Sequence, residues 1–261
     1  MSDIKVLKPN KLVAVISYLI FMFVIGTVLL YIFSFAFAKN NSALNYNDLI
    51  KYMSDSTYKV DNVEEYKRAS SLVYGFSNLI SYGLSFIFVV FYLRDELKNS
   101  FFNLKENRWL FIYIPASSVI FCGLAYLVDF LIGLAAPSST NQTLIETIMR
   151  GPGLVPMIIS TVILAPVIEE LIYRHVIFHY AKRYSIVASY LISIILFTLP
   201  HMLTSKIDNF GIWILQCVPY IVSGGLLCLV YHKSKFNIYA SITAHMLNNI
   251  LAVILVFTKG I

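Results

Sequence analysis

Residues 153–176 read GLVPMIISTVILAPVIEELIYRHV, and the first sixteen of them carry no charge. A helix rises about 1.5 Å per residue, so about 20 apolar residues cross the roughly 30 Å hydrocarbon core of a bilayer. Working outward, comparable stretches occur at about 12–38, 71–93, 109–136, 184–203, 210–231 and 238–257. Of the 261 residues, 58% are hydrophobic and 13% charged, which excludes an ordinary soluble domain. The expected fold class is all-α: a polytopic transmembrane helical bundle of about seven spans, or eight if one is hidden. The expected organisation is residues 1–150 as N-terminal transmembrane helices with an external loop at 39–70, followed by 151–261 as a second transmembrane unit that carries the chemistry.

The first stretch contains Ala36-Phe37-Ala38, a small-x-small pattern found at signal-peptide cleavage sites. Its apolar run of about 27 residues exceeds a signal h-region of about 7–15, so a retained anchor is expected. Cys122, Cys217 and Cys228 fall inside spans and form neither a CxxC site nor an even set, so they read as small core residues. The net charge of +6 has no dense basic face, and no nucleic-acid motif accompanies it. It is better explained by topology. Lys5, Lys8 and Lys11 precede the first span; Arg94, Lys98, Lys105 and Arg108 follow the second; Lys182, Arg183, Lys233 and Lys235 follow the fourth and sixth. These segments, and the N-terminus, are expected to face the cytosol across the cytoplasmic membrane. The segments 137–152 and 204–209 contribute only Arg150 and Lys206, as suits the outer side. Residues 39–70 read as a partly helical external loop, and 143–149 as a short interfacial helix before the breaker Gly151-Pro152-Gly153.

Glu169, Glu170 and Arg174 are expensive inside a span. The eleven Leu, Ile and Val residues from Leu154 to Ile172 favour insertion by roughly 3–7 kcal/mol, while three central charges oppose it by about 7–10 kcal/mol. Glu170 and Arg174 are four apart, share a helix face and can pair. Glu169 points about 100° away and has no partner on its own helix, a state suited to moving protons. Pro166 cannot donate to the carbonyl of Val162, so the helix is expected to open nearby. In FTLPH, His201 follows Pro200 and is presented at a kink or helix end; in HMLNN, His245 and Asn249 share a face. A carboxylate, two imidazoles and a carboxamide on three spans can activate water and stabilise an oxyanion.

The ordered set Glu169-Glu170-x-x-x-Arg174, Phe197-x-x-x-His201 and His245-x-x-x-Asn249 resembles the three motifs of the CPBP family, the CAAX proteases and bacteriocin-processing (Abi) membrane proteins. The resemblance covers about 150–255 and implies a four-helix catalytic core in the C-terminal half and intramembrane endopeptidase activity of the glutamate type. It further implies that Glu169 and His201 polarise the attacking water, that His245 and Asn249 hold the oxyanion, and that Glu170 and Arg174 support them. No cofactor is expected. The competing chemistry is a catalytic zinc held by Glu169, His201 and His245, although no HExxH pair is present. His175 and His179 read as solvated, interfacial imidazoles.

Counting from Gly153 puts Glu169 about 24 Å down its span, whereas counting from Tyr184 puts His201 about 25 Å up the next. The two meet only if residues 175–189 form a hairpin projecting into the cytosol, with the catalytic cavity open to that side. The expected substrate is a membrane-associated peptide or protein precursor, and the other partner is the lipid bilayer. The Lys-, Asn-, Ile- and Tyr-rich composition points to an AT-rich bacterial genome, where bacteriocin or signalling-peptide precursors suit better than prenylated proteins. The rival class is a non-proteolytic membrane protein, a regulator of a sensor kinase or a bacteriocin self-immunity protein, in which the motifs serve as a packed polar core. A small-solute transporter is a weaker rival, since no repeated halves with matching broken helices are seen.

Overall fold

The computed structural model describes residues 8–55, 57–203, 205, 207 and 209–258. Lys5 and Lys206, both used above to orient the chain, lie outside the described residues. All regular elements among the described residues are helical. Six helices are long and apolar enough to cross a membrane: α1 (Pro9–Asn40), α3 (Val63–Tyr92), α5 (Leu110–Gly133), α7 (Leu154–Ala181), α9 (Phe210–Lys233) and α10 (Ile238–Thr258). A shorter apolar helix, α8 (Ile186–Met202, 17 residues), makes up the seventh stretch read from the sequence. Three further helices join them: α2 (Tyr46–Ser54), α4 (Arg94–Glu106) and α6 (Thr140–Met149). The chain is an integral membrane protein built as a helical bundle.

α7 is the central element. In its most apolar window 61% of the residues are buried inside the protein, against 11–33% for the other five long helices. It packs against α3, α8, α9 and α10, while α8 pairs with α9, α9 with α5, and α5 with α10. One apolar cluster runs through the bundle from Ala14 and Tyr18 of α1, through Val89 and Phe121, to Ile168, Phe197, Leu227 and Ala244. The N-terminal helices and the segment after residue 150 therefore share one core.

Small residues set the closest approach. A Cβ on Gly75 of α3 would lie 3.0 Å from the Gly153 Cα, and a Cβ on Gly153 would collide with the Ser71 carbonyl. Ser71 Oγ donates to the Ile148 carbonyl at 3.0 Å and accepts from Gly153 N–H at 2.9 Å, so the breaker before α7 is stitched to α3. Small residues at such crossings let backbones meet where lipid provides no hydrophobic drive.

The loop at 39–70 is partly helical, as expected, with α2 and a small cluster of Leu44, Leu49, Tyr52, Tyr66 and Ala69. Around the helix ends at 8–11, 92–110, 181–186 and 233–238 gather Lys8, Lys11, Arg94, Lys98, Lys105, Arg108, Lys182, Arg183, Lys233 and Lys235, against Asp95, Glu96 and Glu106. This end of the bundle is strongly basic; the opposite end is nearly balanced.

Candidate active site

The site is built on the irregular backbone of α7. Its hydrogen-bond ladder widens to a π-helical register at Ile159–Leu164 and again at Glu170–Phe178. In the first segment the Ala165 N–H reaches back five residues to the Ser160 carbonyl. The next donor in that register would be residue 166, a proline without an N–H, so the Thr161 carbonyl receives nothing from its own helix. Asn249 of α10 supplies the missing donor: its Nδ2 lies 2.7 Å from the Thr161 oxygen. The helix does open near Pro166, and the opening is what ties Asn249 to α7. The amide keeps a second hydrogen for another acceptor.

In the second segment Glu170 and Arg174 pair as their spacing predicts, with Nη1 3.1 Å from Oε1 and both side chains fully buried. The same Glu170 oxygen lies 3.0 Å from Nδ1 of His245, so one carboxylate binds a guanidinium on its own helix and an imidazole on α10. His245, expected from the resemblance to serve the oxyanion, thus hydrogen-bonds Glu170 through Nδ1. Arg174 is held further by a 3.2 Å hydrogen bond from Nη2 to the Gly224 carbonyl of α9 and by the Phe197 ring, 4.3 Å from its guanidinium carbon. Gly224 admits this arrangement because a Cβ there would press on Phe197 at 3.2 Å. Glu170 Oε2 and Arg174 Nε are buried without a hydrogen-bond partner among the described residues. Buried polar atoms of that kind are rare and costly, and they mark places where a polar group is accommodated.

Glu169, 4% exposed, makes a single and longer hydrogen bond among the described residues, Oε1 to the Tyr82 hydroxyl of α3 at 3.5 Å. One turn on, the Tyr173 hydroxyl lies 3.0 Å from that of Tyr18 on α1. His201 is the penultimate residue of α8, just after Pro200, so the imidazole is presented at a helix end as expected. Rings hold it there: Phe197 at 5.1 Å edge-on and Tyr220 at 4.7 Å with the planes only 7° apart. Tyr220 is fixed in turn by Ser139, the N-cap of α6, at 2.8 Å. His245 meets the same Phe197 at 5.9 Å, so that ring is the common floor of both imidazoles and the guanidinium.

The depth conflict is resolved by hairpin register. Phe178 meets Tyr190, the Ser193 hydroxyl donates to the Tyr173 carbonyl at 3.0 Å, and Phe197 lies under Arg174. This antiparallel register brings Glu169 level with the turn that holds His201. The helix runs unbroken to Ala181 before reversing.

Among the described residues no three His, Cys, Asp or Glu side chains are grouped as a metal site. His175 and His179 are only partly exposed, so the expectation of solvated, interfacial imidazoles holds in part. They are half-buried, with Nδ1 atoms 3.4 and 2.9 Å from the Tyr231 hydroxyl, and Lys11 Nζ lies 3.3 Å from His175 Nε2. Cys122, Cys217 and Cys228 are free and at least partly buried, as core residues.

Tyr82 and Tyr220 touch the site and were not singled out from the sequence. Each shares its helix with at least one other tyrosine, such as Tyr74 in α3 or Tyr231 in α9, and nothing in its spacing ties it to the motifs.

Comparison with curated proteins and with solved structures returned no match. A family model described as type II CAAX prenyl endopeptidase Rce1-like matches residues 151–251. That span contains all three motifs, and over it the chain is similar to the Rce1-like type II CAAX prenyl endopeptidases.

Proposed function

We propose that the chain is an intramembrane endopeptidase that cleaves a membrane-associated peptide or protein precursor with water activated by Glu169 and His201. The family match supports membrane proteolysis in general. The observation that carries the finer reading is the division of labour between adjacent carboxylates: among the described residues Glu170 is committed to Arg174 and His245, whereas Glu169 has only the long Tyr82 hydrogen bond. The less committed carboxylate is the one free to hold a water.

In this mechanism Glu169 takes a proton from water as its oxygen attacks the scissile carbonyl, and His201 orients that water. Glu170 accepts the Nδ1 hydrogen of His245 and holds the ring as an imidazolium, which also carries an Nε2 hydrogen; that hydrogen and the remaining Asn249 amide hydrogen receive the oxyanion. Collapse of the tetrahedral intermediate breaks the C–N bond, and Glu169 returns its proton to the leaving amine. No metal takes part. The site opens toward the cytosol, with the basic end of the bundle on the cytosolic side of the cytoplasmic membrane.

The test compares membrane and secreted peptides from cells carrying the wild type or Glu169→Gln. An intact precursor should accumulate with the variant, at least about 10²-fold in uncleaved ratio for loss of a general base, and wild-type cleavage should persist in a chelator. Wild-type cleavage rates with the Gln variant would defeat the assignment, and loss of cleavage on chelation would restore the metal. The rival, a non-proteolytic regulator or self-immunity protein, draws support from the Glu170–Arg174–His245 cluster, which ties helices as a polar core does. It predicts a phenotype that is insensitive to Glu169→Gln.

A further inference from the structure

α4 leaves α3 one residue after Tyr92 and delivers the chain to α5 at Leu110. A helix joined so closely to two membrane-crossing helices runs along the boundary where bilayer meets water. Its inner face is pinned: Leu93 and Ser100 are buried, and Asn237 Nδ2 donates to the Ser100 carbonyl at 2.8 Å and to Asn103 Oδ1 at 3.1 Å. With 100° per residue, Arg94, Lys98, Phe101 and Lys105 form one narrow exposed lane along the side of the helix, with Phe102 beside it. Asp95 and Glu106 are exposed too, on the far side of Phe102.

The lane interleaves cations with exposed aromatic rings. Phe101 and Phe102 are 44% and 48% exposed. Lys105 Nζ sits 4.6 Å over Phe101, Lys98 Nζ 6.0 Å over Phe102, and Arg94 5.1 Å over Phe91. In plain water these rings would be an unfavourable display. At a membrane surface, rings enter the acyl boundary while the cations rise to the headgroups.

We infer that the exposed lane of α4 is a binding surface for anionic phospholipid headgroups, whose phosphates meet Arg94, Lys98 and Lys105 while Phe101 and Phe102 enter the acyl boundary. An acidic protein partner would answer the charge but not the bare phenyl rings, and the position of α4 between two spans keeps the lane on lipid.

Trp109, 38% exposed, lies just beyond α4, and Trp213 lies at the opposite end of the bundle, so Trp213→Phe leaves one reporter beside the lane. The full chain with that change is placed in phosphatidylcholine nanodiscs containing brominated-chain phosphatidylglycerol or, separately, brominated-chain phosphatidylcholine. Phosphatidylglycerol should quench Trp109 about threefold or more above phosphatidylcholine, and high salt should shrink the difference. Lys98→Glu with Lys105→Glu should abolish the preference, since each surface lysine contributes about fivefold to partitioning onto an anionic membrane. Both lysines are exposed, and the same gel-filtration profile confirms that the double variant is folded. Equal quenching by the two lipids without the reversals overturns the proposal, as does a preference that survives them; an acidic protein partner would give the first of these outcomes.

Discussion

Glu170 and Glu169 are neighbours with opposite circumstances, and their conservative variants should separate cleanly. Glu170→Gln leaves Arg174 charged, fully buried and short of its counter-ion, a defect that costs about 3–5 kcal/mol. The expected outcome is a much lower Tm and poor yield in a thermal-stability assay. Glu169→Gln removes no ion pair and should melt near the wild type while losing cleavage. Equal melting of the two variants would contradict the placement of Arg174 on Glu170. The motif residues were legible in the sequence because each needs a reason to be in lipid, and spacing of four gave the Glu170–Arg174 pair. That His245 joins the same carboxylate was not legible, since the contact spans 75 positions. Tyr82 and Tyr220 were hidden for the same reason, as phenols are unremarkable in a membrane span.

At the scale of elements, α7 depends on two local defects in helix regularity. Pro166→Ala would restore an N–H at residue 166, which competes with Asn249 for the Thr161 carbonyl. Tm should hold or rise while cleavage falls, so the two readouts should move apart; parallel loss of both would mean that Pro166 serves packing alone. Gly153→Ala would drive a methyl into the Ser71 carbonyl and should lower Tm by an overpacking cost of about 1–3 kcal/mol. Gly83→Ala in the same α3 partner meets nothing within 4 Å and is the control that should leave Tm in place. The spans were legible because apolar runs of bilayer length announce themselves. α4 was seen only as a source of cations, because a surface helix whose inner stripe is a buried Ser100 between partly buried Leu97 and Leu104 gives a weak periodic signal.

For the whole molecule, the family segment 151–251 is not self-sufficient in its packing. Tyr82 reaches Glu169, Tyr18 reaches Tyr173, and Gly75 seats Gly153, all from helices before residue 150. Residues 151–261 expressed alone should aggregate or melt without cooperativity. Co-expression with residues 1–150 should recover a complex that co-elutes; a stable, cooperatively melting fragment on its own would show that the first three long helices are dispensable. The division at residue 150 follows the chemistry, whereas the apolar cluster ignores it. One contact also bears on how the protein is made. His245 emerges from the ribosome 75 residues after Glu170, which at about 5–20 residues per second is about 4–15 s later. During that interval the nascent α7 holds its carboxylates in or beside the membrane without α10, leaning on Arg174 and on the already inserted α3. Order of synthesis thus becomes part of how the chain tolerates its own active site: the neutral scaffold is laid down first, and the last helix to arrive is the one that completes the charge cluster.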